Sequence, residues 1–108
     1  MNRGDIVVVA TRGAYTSKPR PAVVVQADDF NPTHASVTIC PVTSDCVDAP
    51  LFRVPLPPSA RTGLTLPSQV MIDKIASVPR EALGPPIGRC LPVELDAVTD
   101  ALRRWLAI

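Results

Sequence analysis

The stretch that decides the fold is KPRPAVVVQ, residues 18–26, in which an arginine lies between two prolines directly ahead of an apolar run. An uninterrupted run of β-branched residues is typical of a β-strand that is buried on both faces. Proline fixes its own φ at about −65° and drives the residue before it into extended geometry, so two prolines constrain Arg20 at once. The stretch therefore predicts a buried strand with a cation held in a fixed position directly before its first residue.

Four further segments have the composition of strands. DIVVVA is as apolar as the first stretch, SVTICP and LFRVPL are shorter, and QVMIDKIASV is long enough to bend or to pair twice. The proline in LFRVPL indicates a sheet edge or a strand end. We therefore predict five strands, at residues 5–10, 21–27, 36–41, 51–56 and 69–78.

The end of the chain has a helical period. Leu95, Val98, Leu102 and Trp105 recur at spacings of three and four residues, which is one face of a helix, and Pro92 suits its first position. Five strands with short loops, followed by one helix, predict a mainly β fold with a C-terminal α-helix. We expect a small, curved β-barrel that forms a single domain over residues 1–108.

The composition indicates a globular protein with an aliphatic core. A chain of 108 residues can bury roughly two-thirds of its unfolded surface. Apolar residues make up 46% of it and aromatic residues only 4%, so aliphatic side chains must fill the core. No apolar run approaches the roughly 20 residues that span a bilayer, and the N-terminus has no leader pattern. We therefore expect a cytoplasmic protein that does not contact a membrane.

The sequence offers no set of metal ligands. Cys40, Cys46 and Cys90 lack paired Cys-x-x-Cys spacing, and His34 is the single histidine. The aspartates are dispersed, and the five glycines form no phosphate-binding loop. We therefore predict reduced thiols and a chemistry that uses neither a metal ion nor a cofactor.

Charge is unevenly distributed along a nearly neutral chain. The net charge of +1 divides into +3 over residues 1–20, −4 over 21–50, +3 over 51–93 and −1 over the remaining tail. So neutral a chain does not coat nucleic acid nonspecifically, because that takes many phosphate contacts. Any contact with nucleic acid is therefore expected at one local basic groove.

Two hydroxyl side chains follow the third predicted strand, in ICPVTSD at residues 39–45. In a curled antiparallel sheet, this strand end and the start of the preceding strand share one edge, which brings Thr43 and Ser44 towards Arg20. An arginine fork can hold two phosphate oxygens. RNA can be cleaved without a metal ion because its own 2′-hydroxyl is the nucleophile, so the protein has to position the phosphate and stabilise added charge. The residues alone leave open an alternative in which Arg20 pairs with an acidic loop and the hydroxyls cap a turn.

Several stretches resemble the MazF/PemK family, the toxins of type II toxin–antitoxin modules. They are RGDIVVV at 3–9, KPRPAVVVQ at 18–26, CPVTS at 40–44, GL at 63–64, SQVMIDKIASVPREALG at 68–84 and ALRRWLAI at 101–108. This nearly end-to-end resemblance implies an SH3-like barrel, a homodimer and a metal-independent, sequence-specific endoribonuclease that cleaves single-stranded RNA and so inhibits translation and growth. It also implies inhibition by a cognate antitoxin with an acidic, partly disordered tail. The family's catalytic arginine and threonine correspond to Arg20 and Thr43.

The proton-transfer groups depart from the patterns of the family. Some members carry a glutamate five residues before the arginine, where this chain has Tyr15, and others use an Arg-x-Asp pair in a later strand. Asp73 is retained, but Met71 replaces that arginine. The candidate catalytic assistants are Asp73, Lys74 and Ser44. RNA specificity is expected from loop residues that stack on bases or contact their edges. The candidate RNA-binding residues are Tyr15, Lys18, Phe52 and Arg53.

The same fold allows a second interpretation. MIDKIASVP at 71–79 and the ending WLAI at 105–108 also resemble the CcdB toxins, which poison DNA gyrase through their C-terminal residues. Such a toxin binds its target without being an enzyme and needs no arginine beside a threonine. A gyrase-binding toxin is therefore the alternative to a ribonuclease.

Overall fold

The computed structural model describes residues 1–10 and 19–108, which form seven strands, two short 3₁₀ helices and one α-helix. The strands are β1 Asp5–Val9, β2 Arg20–Val24, β3 Ser36–Thr43, β4 Arg53–Leu56, β5 Ser68–Met71, β6 Ala76–Pro79 and β7 Leu83–Arg89. The 3₁₀ helices are Ile72–Lys74 and Arg80–Ala82, and α1 is Pro92–Leu106.

The strands of the described residues form one curved, antiparallel sheet, which they do not close into a complete barrel. Its order is β4-β5-β3-β2-β1-β7, and β6 also pairs with β3. One edge of β3 pairs with β2, and its other edge pairs with β5 and then with β6. The predicted fifth strand therefore does pair twice, and the 3₁₀ helix Ile72–Lys74 makes the bend between its halves. The prediction of a mainly β, barrel-like fold with a C-terminal helix is confirmed.

β7 is a described strand that the sequence analysis missed. Its sequence LGPPIGR contains two prolines and two glycines, which are depleted in strands. β7 lies at the end of the sheet and pairs with β1 alone among the described strands. A strand with one unpaired side tolerates proline, because the missing N–H is not needed there.

The central strands are buried on both faces, as their apolar runs predict. Ile6 and Val23 belong to the larger cluster, which α1 covers with Val98 and Leu102. Their strand neighbours point to the opposite face and join a smaller cluster of six buried aliphatic residues there. Because successive side chains of a strand alternate between faces, a two-sided core needs the uninterrupted apolar runs that the sequence shows.

The C-terminal helix begins where the sequence predicts. Pro92 is its first residue, and the Glu94 carboxylate accepts the Leu91 N–H at 2.7 Å, which satisfies one of the free amides at the helix start. Ala107 ends it in the left-handed conformation, with φ of 58°. No helix within the described residues is long and apolar enough to cross a membrane.

Candidate active site

The register of the sheet brings Arg20 and Thr43 to the same edge. Arg20 is the first residue of β2, and Thr43 is the last residue of β3. Ala22 pairs with Pro41, and continuing this antiparallel register by two residues places Arg20 opposite Thr43. The predicted meeting of these two strand ends is therefore confirmed.

An open pocket of about 180 Å³ lies at this edge of the sheet. Two strand ends and the loop between β4 and β5 form its walls. It is lined by Arg20, Pro21, Val42, Thr43, Ser44, Leu64, Thr65, Leu66 and Ser68. The structure thus brings together three of the predicted site residues, the guanidinium of Arg20 and the hydroxyls of Thr43 and Ser44.

The Thr43 hydroxyl is held by the chain that follows it. The Asp45 N–H donates to Thr43 Oγ1 at 3.0 Å. A hydroxyl has one proton to donate and two lone pairs that accept, so this bond leaves the proton of Thr43 for another partner. Thr43 therefore caps a turn, as the alternative interpretation expects, and it also keeps a proton that it can donate into the pocket.

Arg20 is exposed at the pocket. Within residues 1–10 and 19–108, the ion pair found joins Arg89 to Asp5 at 3.4 Å, and no carboxylate pairs with Arg20. The acidic-loop partner that the alternative interpretation requires is therefore not seen in the described part of the chain. A guanidinium beside two hydroxyls in an open pocket is an arrangement suited to a phosphate group.

The loop between β4 and β5 supplies an apolar wall that sequence reasoning missed. Leu64 and Leu66 line the pocket, and the Leu66 side chain is 58% exposed. Gly63 precedes them with φ of 74°, and a Cβ there would lie 2.3 Å from the Ile87 carbonyl oxygen. The glycine is therefore required both for its backbone conformation and for the close approach to β7. This glycine, followed four residues later by Pro67, was the sequence pattern that could have indicated a shaped loop.

Four other predicted site residues lie outside the lining of this pocket. The Phe52 ring packs against Trp105, with 5.9 Å between ring centroids. Arg53 donates Nη1 to backbone and side-chain oxygens of its own chain. Asp73 and Lys74 lie in the 3₁₀ helix beyond the far end of β5. The catalytic and RNA-binding roles of these residues stay predictions.

Two predicted RNA-binding residues cannot be placed against the pocket. Tyr15 and Lys18 lie outside the described residues.

Within residues 1–10 and 19–108, no group of three or more His, Cys, Asp or Glu side chains could hold a metal ion. Asp73 Oδ1 is buried and has no hydrogen-bond partner in that part of the chain.

Comparisons with known proteins agree with the resemblance seen in the sequence. The model of the PemK-like, MazF-like toxins of type II toxin–antitoxin systems matches residues 2–106. The chain is 45% identical over all 108 residues to the probable endoribonuclease MazF of Mycolicibacterium smegmatis, of which it covers 98%. It is 35% identical over 114 aligned positions to endoribonuclease MazF9 of Mycobacterium tuberculosis, with 98% of this chain and 96% of that relative covered.

A solved structure of similar fold was also found. It is an endoribonuclease in complex with its cognate antitoxin from a mycobacterial species, and it matches with a TM-score of 0.83. The match covers 100% of this chain and 96% of the other at 23% identity, so it concerns the fold alone. On the strength of the family match and the two relatives, the chain belongs to the PemK-like, MazF-like toxins of type II toxin–antitoxin systems.

Proposed function

We propose that this chain, a MazF-type endoribonuclease toxin, cleaves single-stranded RNA at specific sequences without a metal ion and thereby inhibits translation and growth. The observation that carries the proposal is the pocket that holds Arg20 and Thr43 side by side. It combines a bidentate cation, a hydroxyl with a free proton and an apolar wall. These are the groups that a phosphate and its neighbouring base require.

The cleavage step follows from the chemistry of RNA. The 2′-hydroxyl oxygen of the substrate forms a bond to the adjacent phosphorus, and the bond from phosphorus to the 5′-oxygen breaks. Arg20 holds two non-bridging oxygens and stabilises the negative charge added in the transition state. Thr43 donates a hydrogen bond to the same phosphate. The products are a 2′,3′-cyclic phosphate and a 5′-hydroxyl.

The proton transfers need further groups. The 2′-hydroxyl must lose a proton, and the leaving 5′-oxygen must gain one. Of the three candidate assistants, Ser44 lines the pocket, whereas Asp73 and Lys74 lie beyond the far end of β5. Ser44 is therefore the assistant that we place nearest to the reacting phosphate.

The proposal extends to partners and location. We propose a cytoplasmic homodimer whose basic groove receives an acidic, partly disordered antitoxin tail in place of RNA. The +3 balances of residues 1–20 and 51–93 support such a groove, because it attracts any extended anion. The solved mycobacterial neighbour is a complex with its cognate antitoxin.

The gyrase-binding alternative gains no support from the comparisons. The family model covers residues 2–106 as a MazF-like toxin, and both curated relatives are named endoribonucleases. The pocket also combines Arg20 with Thr43, which a gyrase binder does not need.

The test is RNA cleavage by the purified protein in the presence of EDTA. We expect cleavage at defined sites, with fragments that carry 5′-hydroxyl and 2′,3′-cyclic phosphate ends. Mapping the 5′ ends identifies the recognised sequence. An RNA with a 2′-O-methyl group at the cleaved nucleotide is the matched control and should stay intact. Loss of all cleavage on chelation, with recovery on adding a divalent ion, would contradict the metal-independent mechanism.

A further inference from the structure

The loop that follows Thr43 is fastened by a glutamine that lies outside the pocket. Gln69 Oε1 accepts the Val47 N–H at 3.1 Å, and Gln69 Nε2 donates to the Val47 carbonyl at 2.9 Å. One side-chain amide thus satisfies both backbone groups of one loop residue, as a neighbouring strand would. This pair of hydrogen bonds fixes both the distance and the orientation of the loop relative to β5.

Arg53 connects these hydrogen bonds of Gln69 to the active site. Its Nη1 donates to Gln69 Oε1 at 2.9 Å and to the Asp45 carbonyl at 3.2 Å. Asp45 is therefore held on both sides, because its carbonyl accepts from Arg53 while its N–H donates to Thr43 Oγ1 at 3.0 Å. A continuous set of hydrogen bonds runs from Gln69 through Arg53 and Asp45 to the Thr43 hydroxyl.

The sheet register sets where this network begins. Gln69 in β5 is the cross-strand partner of Thr43 in β3. The network therefore begins at the residue that pairs with Thr43 in the sheet, passes through the loop after β3 and ends at the Thr43 hydroxyl. A threonine hydroxyl can rotate, and its accepted bond from Asp45 decides in which direction its proton points.

We propose that Gln69 is a positioning residue for RNA cleavage, which acts through Arg53 and the backbone of Asp45 to aim the proton of the Thr43 hydroxyl at the bound phosphate. The inference rests on the proposed function, since it deepens the role of Thr43 in that pocket. In this inference Arg53 holds the loop after Thr43 in place, whereas the sequence predicts that it binds RNA. Misplacement of a reacting group by about 1 Å can lower a rate about a hundredfold, so a fixed loop has a direct effect on catalysis.

The experiment is a double-mutant cycle on kcat and KM for a short cleavable RNA. Thr43→Val sets the largest loss that a residue acting through Thr43 can cause. We expect Gln69→Ala to lower kcat about five- to tenfold with little change in KM. In the Thr43→Val background, Gln69→Ala should cause no further loss, because the hydroxyl that it positions is gone.

A second glutamine provides a matched control. Gln26 lies in the loop after β2 and ties that loop to β3, since its Nε2 donates to the Ser36 carbonyl at 3.2 Å and its Oε1 accepts the Thr38 N–H at 3.1 Å. This loop lies at the opposite end of β2 from Arg20. Gln26→Ala should lower stability but leave kcat of the folded protein unchanged.

Three results would overturn the inference. The first is an equal loss from Gln69→Ala with and without the Thr43 hydroxyl, and the second is an effect on KM alone. The third is full activity of Gln69→Ala in an enzyme that Thr43→Val impairs. If the unaltered protein cleaves no RNA, the proposed function fails and the inference fails with it.

A second variant covers the case in which Gln69→Ala does not fold. Gln69→Glu keeps the length of the side chain and its acceptor, and it loses the donor to the Val47 carbonyl. We expect a loss of kcat of about twofold to fivefold, which again disappears in the Thr43→Val background. A loss that persists in that background counts against the inference.

Discussion

At the pocket, two side chains are held in place by different physical means. Pro21 drives the Arg20 backbone into extended geometry, and Pro19 fixes its own φ directly before it. Thr43 is constrained through its hydroxyl, which accepts the Asp45 N–H. The backbone that carries Arg20 and the hydroxyl of Thr43 are therefore constrained before a substrate arrives, which limits the reorganisation needed when charge develops on the phosphate.

The hydroxyl of Thr43 can be tested apart from its shape. Thr43→Val keeps the branched side chain and removes the hydroxyl, so we expect kcat to fall about ten- to a hundredfold, less than for loss of a charged donor. Thr43→Ser restores the hydroxyl and should recover most of the activity. Both are measured by initial rates of RNA cleavage, with circular dichroism to check folding. Equal activity of the valine and serine variants would exclude the hydroxyl from the mechanism.

The three thiols differ in reactivity because they differ in burial. Burial raises the pKa of Cys40 to about 12 and, with the nearby Glu94 carboxylate, that of Cys90 to about 11, above the ordinary 9.0. Since the thiolate is the reactive form, iodoacetamide at mildly alkaline pH should label exposed Cys46 and spare the other two until the protein unfolds. Mass spectrometry of labelled peptides checks this. Labelling of Cys40 at the rate of Cys46 would contradict it.

The same pKa values fix the sign of an alkaline effect on stability. Above a pH of 9.0 the unfolded thiols ionise while the buried native thiols stay protonated. Below pH 9.0 the two thiols therefore do not lower the free energy of unfolding. As the pH rises from there towards 11 and 12, the free energy of unfolding falls.

At the scale of elements, the loop between β4 and β5 gives the pocket its apolar wall. A turn around the buried Thr62 shapes it, in which the Thr62 N–H donates to Ser59 Oγ at 3.1 Å. The Arg89 N–H of β7 donates to the Arg61 carbonyl of this turn at 2.8 Å. The bond from Arg89 docks the loop on β7. The position of Leu64 and Leu66 at the pocket therefore depends on a strand at the other end of the sheet.

Gly63 is the residue at which this docking is most easily broken. We expect Gly63→Ala to lower the free energy of unfolding by more than about 2 kcal/mol, because its φ is positive and the added Cβ meets the Ile87 carbonyl. Gly84→Ala is the matched control, since a Cβ there lies 3.4 Å from the nearest atom, and it should cost about 1 kcal/mol or less. Urea unfolding measures both. Equal stabilities of the two variants would show that Gly63 is not required.

The sequence predicted most strands of the described chain, and the reasons for its failures are physical. Apolar runs identify β1, β2 and β3, because burial on both faces requires them. β7 was missed because its prolines and glycines are tolerated at a sheet edge by tertiary pairing, which no local pattern shows. β4 begins at Arg53 rather than Leu51, because the Phe52 N–H bonds to the Ala49 carbonyl in a turn.

One part of the candidate site could likewise be predicted from the sequence, and another part could not. Arg20 and Thr43 could be paired from the sequence because antiparallel neighbours place a strand start beside a strand end. The leucine wall and the Gln69 network could not, because they depend on how β5 pairs with β3 and on where a loop docks. Hydrogen bonds between a loop and a distant strand leave no periodic pattern in a sequence.

At the scale of the whole molecule, individual segments of the chain carry more charge than the chain as a whole. The net charge is only +1, while residues 51–93 carry +3 and residues 21–50 carry −4. Attraction of an extended anion is therefore local, and it weakens with salt. RNA and an acidic peptide are expected to share this attraction.

An acidic peptide should therefore compete with RNA. We expect poly-glutamate to raise KM for RNA cleavage and to leave kcat unchanged, whereas neutral poly-glutamine has no effect. Raising the ionic strength should weaken both RNA binding and inhibition. Kinetics at several peptide concentrations test this. Inhibition that lowers kcat without raising KM would place the acidic peptide outside the RNA groove.

The central claim is that Arg20 holds the scissile phosphate, and its removal tests that claim most directly. The measurement is the rate of RNA cleavage by Arg20→Ala, beside Arg103→Ala, which removes an exposed arginine from α1. We predict that Arg20→Ala folds with unchanged stability and loses roughly two to three orders of magnitude in kcat/KM, while Arg103→Ala stays close to the unaltered protein. Arg20→Lys should recover little, because an ammonium lacks the bidentate fork. A folded Arg20→Ala protein that cleaves RNA as fast as Arg103→Ala would contradict the account.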